Sequence, residues 1–227
     1  MAETTILLAF FGAFFAVTNP FGNIALFIAY TRELRTGVQR ASAVLLTIFL
    51  IAFLTVFYFI GDDILKFFGI TIPAFQIAGG IIIFGIGLSM ISGFHSDTLK
   101  KEFKVAKTDG TETLEKDFIE AESFIPKILV PLGIPIYAGP GALSVVIVYG
   151  NKAILAGDSV FLGGIFVIFA GCLIICGVNL LASPIKRVIG EQGLEILVRI
   201  MGLFLAAIAV VIFLEGLTAV STVFHMA

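Results

Sequence analysis

Residues Thr5–Tyr30 read TILLAFFGAFFAVTNPFGNIALFIAY, without a single charged side chain. Crossing a hydrocarbon core of ~30 Å takes roughly 20 apolar helical residues, so this stretch is long enough to span a bilayer. Midway along it, Thr18-Asn19-Pro20-Phe21-Gly22-Asn23 interrupts the apolar run. Proline removes a backbone donor and disfavours helix at the residue before it, and glycine permits non-helical backbone. The stretch therefore reads as a span that comes apart in its middle. It predicts half-helices over Thr5–Val17 and Gly22–Thr31, roughly 20 Å and 15 Å long at 1.5 Å per residue.

Five further apolar runs of similar length follow, at Ala41–Ile60, Ile72–Ser92, Pro126–Gly150, Ser159–Leu181 and Leu194–Leu217. Hydrophobic residues make up 59% of the 227-residue chain and charged residues 13%, with a mean hydropathy of +1.12. Soluble domains average roughly 45–50% apolar and about 25% charged residues, so the excess apolar surface here must face lipid. Turn and boundary signals fall at Gly61-Asp62-Asp63, Gly150-Asn151-Lys152 and Ser183-Pro184. The first run exceeds the usual h-region and no Lys or Arg precedes it, so it is expected to be a span rather than a cleaved signal. A net charge of −2 without a basic patch gives no sign of nucleic-acid binding. Cys172 and Cys176 share a helix face, but a zinc site would need further ligands, and they read as packing residues.

Basic residues set the orientation. Arg32, Arg35 and Arg40 lie between runs one and two, six lysines from Lys100 to Lys127 between three and four, and Lys186 and Arg187 between five and six. Only Lys66 and Lys152 lie on the other side. The positive-inside rule then puts both termini outside the cytoplasm and the polar segment between the halves inside it. That segment, 95–125, reads as a cytoplasmic connector, partly helical or disordered.

The connector divides the chain into 1–94 and 126–227, and the two blocks echo one another. Ala138-Gly139-Pro140-Gly141-Ala142 interrupts the fourth run as Thr18–Asn23 interrupts the first, and Pro131 and Pro135 loosen it further. Phe75-Gln76-Ile77-Ala78-Gly79-Gly80 and Val198-Arg199-Ile200-Met201-Gly202 occupy matching places in runs three and six. Three spans per block oblige the second block to enter from the opposite side. The expected fold is an all-α polytopic membrane protein of six transmembrane helices, in two inverted three-helix repeats, with helices one and four discontinuous. Transporters built this way hold solute near the midplane at the repeat interface.

An interrupted helix exposes N–H groups at one half's start and C=O groups at the other's end. In hydrocarbon such groups persist only inside protein or beside a polar cavity. The N–H end suits a carboxylate and the C=O end an ammonium or a bare cation, so two opposed breaks offer partners for a zwitterion. The deep polar residues are Thr18, Asn19, Asn23, Gln76, Ser144, Asn179 and Arg199, and no Asp or Glu sits mid-span. A cationic solute would lack a counter-charge there, which favours a small neutral one. Arg199 either snorkels to the cytoplasmic surface or faces the interface, and Gln76 either bonds a neighbouring helix or lines the site. Gly157, Gly164 and Gly171, and Gly80 and Gly87, recur every seven residues and read as packing stripes.

Asn19-Pro20-Phe21-Gly22-Asn23, Phe68-Gly69-Ile70, Phe75–Gly80, Val130-Pro131-Leu132, Ala138–Ala142 and Arg199-Ile200-Met201-Gly202 together resemble the MarC family, which includes SnatA-like small neutral amino acid transporters. The likeness covers nearly the whole chain outside the polar connector. It implies six spans in two inverted repeats and a glycine- or alanine-sized substrate between the breaks, on Asn19–Asn23 and Gly139–Ala142. The family often has Arg where this chain has Gln76, which puts a role for that position in doubt.

The expected function is a secondary transporter of small neutral amino acids working by alternating access, a symporter with Na⁺ or H⁺ as coupling ion and no other cofactor. The expected substrate-binding residues are Thr18, Asn19, Pro20, Phe21, Gly22, Asn23, Ala138, Gly139, Pro140, Gly141, Ala142, Ser144, Gln76 and Arg199. An exporter of other small metabolites or drugs is the alternative. An intramembrane enzyme is the remote one, because His95 and His225 lie at or beyond span ends and the cysteine pair has no deep histidine partner.

Overall fold

A computed structural model describes residues 2–31, 34–92 and 114–225, and over them the chain is helical throughout. The elements are α1 (Ala2–Thr18), α2 (Pro20–Thr31), α3 (Thr36–Phe67), α4 (Ile72–Ile91) and α5 (Leu114–Ile128). A π-helical segment (Leu129–Tyr137), α6 (Pro140–Ala156), α7 (Asp158–Leu180) and α8 (Ala182–His225) complete it. Among the described residues five stretches are long and apolar enough to cross a membrane: Glu3–Thr31, Thr36–Phe67, Ile72–Ile91, Asp158–Ile185 and Glu195–Val220. The fourth expected span is a composite of the end of α5, the π segment and α6. The protein is an all-helical polytopic membrane protein of five to six spans.

Two expected turns lie elsewhere, and a third falls at a helix start. Gly61-Asp62-Asp63 stays helical and α3 runs on to Phe67, where Gly69, at φ 67°, makes the reversal. Ile70 N–H donates to the Leu65 carbonyl at 2.8 Å and closes that end. Gly150-Asn151-Lys152 also stays helical, and the turn falls on Gly157 at φ 111°. Gly61 and Gly150 instead serve the crossing of α3 and α6. A Cβ on Gly61 would meet Ile147, and one on Gly150 would meet the Tyr58 carbonyl oxygen. Ser183-Pro184 opens α8, where a proline in the first turn loses no helical bond. The reversal before the last span belongs to Gly190 at φ 69°.

The described end of the connector is helical. α5 carries its end from Leu114 through the expected boundary at 125/126, while residues 95–113 lie outside the described residues. α5 is amphipathic: Ala121, Asp117 and Ile128 are buried, while Phe118, Ile119 and Glu122 are exposed.

Close approach of backbones joins α4 to α8. A Cβ on Gly87 would lie 2.8 Å from both the Ala206 nitrogen and the Gly202 carbonyl oxygen, and one on Gly80 2.9 Å from the Ala209 carbonyl oxygen. Small residues on one stripe let membrane helices gain van der Waals contact that lipid tails cannot supply. On α7, Gly164 lies under the Tyr58 hydroxyl and Gly171 under the Phe14 ring. Gly157, the third member of that expected stripe, has open space around it and acts as the turn. Phe10, Phe14, Phe27, Leu46, Leu50, Leu54 and Tyr137 form the buried centre, while Leu8, Ile48, Phe166 and Leu203 face outward. An apolar exterior of this kind is what a lipid environment demands.

Candidate functional site

The first interruption is one residue wide. Asn19 has φ 38°, the one non-glycine residue with positive φ among those described. Its N–H still donates to the Phe15 carbonyl at 3.0 Å, and its own carbonyl accepts the Asn23 N–H at 3.0 Å. Asparagine tolerates this left-handed conformation because its side chain bonds locally. Asn19 Oδ1 accepts the Gly22 N–H at 3.2 Å, capping the start of α2. From the other side, Asn23 Nδ2 donates to the Thr18 carbonyl oxygen at 2.8 Å. The two asparagines thus take up peptide groups that the sequence argument leaves bare. Amide side chains supply both a donor and an acceptor, and in hydrocarbon neither peptide end can stay unmatched.

The second interruption is built differently. Pro131 and Pro135 each lack a donor, and the helix between Leu129 and Tyr137 widens to π geometry. Ala138 N–H reaches back five residues to the Gly133 carbonyl at 2.7 Å. Gly139 is extended (φ −72°, ψ 177°) and Pro140 opens α6. The first helical bond of α6 runs from Leu143 N–H to the Gly139 carbonyl at 2.9 Å. Gly141 and Ala142 N–H stand ahead of it, and Gly139 has no side chain to cap them. A buried helix start with uncapped donors is positive in potential and suits an anionic group.

One cavity joins the two interruptions. Its wall takes Val17, Asn19 and Asn23 from the first, and Ile136, Gly139, Gly141 and Ala142 from the second. Ile83 on α4 and Leu205, Ile208 and Ile212 on α8 close it. Among the described residues no ionisable side chain lines it. Room is short beside the helix start: a Cβ on Gly141 would sit 2.8 Å from Ile212 Cδ1 and 2.9 Å from Val17 Cγ1. Pro140 packs its ring against Gly79 of α4 so closely that no Cβ fits there.

The other expected site residues fall around this wall rather than in it. Thr18 is buried and donates to the Phe14 carbonyl at 2.8 Å. Ser144 is buried and donates to the Pro140 carbonyl at 2.6 Å. Pro20 and Ala138 are buried in the backbone of the breaks, and Gly22 lies beneath the Asn19 side chain. Phe21 is 66% exposed and points away. Gln76 is half-buried, with its Cβ beside Gly216 at the far end of α8. Arg199 is exposed. Sequence reasoning missed Val17, Ile83, Ile136, Leu205, Ile208 and Ile212, because an apolar wall residue looks like any other apolar span residue. It also missed the bond from the Tyr137 hydroxyl to Asn179 Oδ1 at 3.1 Å. Among the described residues no group of three or more His, Cys, Asp or Glu is placed to hold a metal ion, and both cysteines are free thiols.

The sequence profile described as "MarC family integral membrane protein" matches residues 4–221. The UPF0056 membrane protein YhcE of Escherichia coli is 34% identical over 213 residues, covering 93% of this chain and 91% of that protein. A UPF0056 membrane protein of Methanocaldococcus jannaschii is 34% identical over 91% of this chain and 93% of its own. One of Pyrococcus horikoshii is 31% identical over 95% and 96%. No solved structure matches the chain. With the profile spanning nearly its full length and its relatives aligned end to end, the chain belongs to the MarC family of integral membrane proteins.

Proposed function

We propose that the protein is a secondary carrier of small neutral amino acids, of glycine or alanine size, working by alternating access and coupled to Na⁺ or H⁺. The observation that carries this reading is a cavity walled by both helix interruptions. At that cavity the uncapped Gly141 and Ala142 N–H groups offer donors to a carboxylate, and the side-chain oxygen of Asn19 offers an acceptor to an ammonium group. The absence of ionisable side chains from the wall disfavours a solute with net charge. The narrow clearance at Gly141 disfavours a long side chain. This solute passes through unchanged, so no catalysis is assigned.

The proposal takes 1–94 and 126–227 as two three-helix repeats of inverted topology. The cavity wall is consistent with this, since helices one and four contribute the breaks and helices three and six the apolar sides. By the positive-inside rule the termini face outward and the connector lies in the cytoplasm. Purified protein in sealed vesicles tests the reading. Labelled glycine or alanine should accumulate under an inward Na⁺ or H⁺ gradient, with lysine and glutamate failing to compete. Vesicles that show no flux under either gradient would refute it.

A further inference from the structure

Most polar side chains buried in this protein are matched. Thr31 and Thr47 donate to carbonyls one turn back, at 2.6 Å and 2.8 Å. Two donors between α3 and α7 are not: Ser42 Oγ and Asn179 Nδ2 lack a hydrogen-bond partner among the described residues. Their residues are 0% and 1% exposed. Unmatched buried donors in a membrane-embedded core are costly and mark places that water or a ligand occupies.

The two lie together by register. α3 and α7 pack antiparallel, fixed at one end by the Tyr58 hydroxyl, which donates to the Phe161 carbonyl at 3.2 Å. At the other end the Ser183 hydroxyl donates to Gln39 Oε1. Ser42 follows Gln39 by about one turn and Asn179 precedes Ser183 by about one turn, so this register sets them level. Asn179 Oδ1 in turn accepts the Tyr137 hydroxyl at 3.1 Å. Tyr137 sits in the chain between Ile136 and Gly139, both in the cavity wall. In the other direction Gln39 Nε2 donates to Thr31 Oγ1 at 2.7 Å.

A file of amide and hydroxyl groups therefore leads from the cavity wall toward the start of α3. One turn before Gln39 stands Arg35, with a guanidinium nitrogen 2.5 Å from Glu120 Oε2 and 3.4 Å from Asp117 Oδ1. These pairs strap α5 over the start of α3, where Gly37 has no room for a Cβ against the Asp117 carboxylate.

We propose that Gln39, Ser42, Asn179 and Ser183 line the passage by which solute moves between the cavity and the membrane face bearing Arg35, with the Arg35 ion pairs to Asp117 and Glu120 holding its mouth shut. The proposal rests on the carrier reading. The passage takes water and a small zwitterion, whose carboxylate meets the free Ser42 and Asn179 donors in turn. Polar groups that merely glue helices together satisfy one another, and the Ser42 hydroxyl and the Asn179 Nδ2 donors do not.

Thiol accessibility tests this in the full chain, with Cys172→Ser and Cys176→Ser removing the native thiols. Ser42→Cys is treated with a membrane-impermeant methanethiosulfonate from each face of sealed vesicles. Labelling from the Arg35 face should rise about tenfold when Arg35→Gln or, separately, Glu120→Gln opens the mouth. Leu50→Cys, on the same helix in apolar packing, should stay unlabelled in every background. Glycine flux is measured on the same vesicles. Flux with Ser42→Cys unreactive in both opened variants overturns the passage and leaves the carrier reading intact. Labelling from the Arg35 face with no glycine flux in any background, the unsubstituted chain included, refutes the carrier reading and with it a solute passage, and leaves the file a route for water alone. Equal labelling of Leu50→Cys shows loosened packing and overturns the passage.

Discussion

Asn23 Nδ2 donates to the Thr18 carbonyl oxygen at 2.8 Å across the interruption of the first span. One side chain thereby takes the Thr18 carbonyl, whose usual donor one turn on, the Gly22 N–H, is turned to Asn19 Oδ1. Removing it leaves the carbonyl of a buried threonine unmatched in a low-dielectric setting. Asn23→Ala is expected to cost about 1–3 kcal/mol of stability. Asn23→Asp should cost as much, because a carboxylate has no N–H to offer. Thermal unfolding in detergent micelles reads both; unchanged stability in the two variants would show that the bond does not support the break.

Gly141 leaves little room at the cavity wall. Gly141→Ala should weaken glycine uptake by about 1–3 kcal/mol of overpacking, since its methyl meets Ile212 Cδ1 and Val17 Cγ1. Ile212→Val deletes one of those atoms and should restore part of the loss. Gly141→Leu should abolish uptake while membrane insertion persists. Uptake rates at matched protein density in the bilayer check the series.

Gly22 acts through its neighbour. A Cβ there collides with the Asn19 side-chain amide, so Gly22→Ala should displace the cap on α2 and cost ~0.5–2 kcal/mol. Asn19→Gly should blunt the penalty by removing the obstructing side chain while keeping the backbone free to adopt φ 38°. A double-mutant cycle by unfolding in micelles measures that coupling.

Phe21 and Arg199 are exposed, away from the cavity wall. Phe21→Ala and Arg199→Gln are expected to leave the apparent KM for glycine within about twofold, as surface substitutions generally do. A tenfold rise in either would bring that side chain back to the site.

The helical, membrane-spanning character of the chain and most of its spans were legible because lipid imposes a simple demand, roughly 20 apolar residues per crossing. Both interruptions were legible for the same kind of reason: Asn19-Pro20 and Gly139-Pro140 remove backbone donors where nothing but protein can replace them. The turns were misread because glycine has two uses. Gly61 and Gly150 look like loop residues beside Asp and Lys, yet each is small to let α3 and α6 cross. Gly69, Gly157 and Gly190 take the positive φ instead. Asn19 and Asn23 were recognised as site residues, but their capping of the break depends on a one-residue interruption that spacing alone does not specify. The Arg35 pairs with Asp117 and Glu120 join segments far apart in the chain, so no local pattern announced them.

The most direct test is a structure determined with glycine or alanine present. Solute density should touch the Gly141 and Ala142 N–H groups with its carboxylate and lie against Asn19 with its ammonium group. A solute bound elsewhere, with the space between Asn19 and Gly141 closed by side chains, would contradict the account.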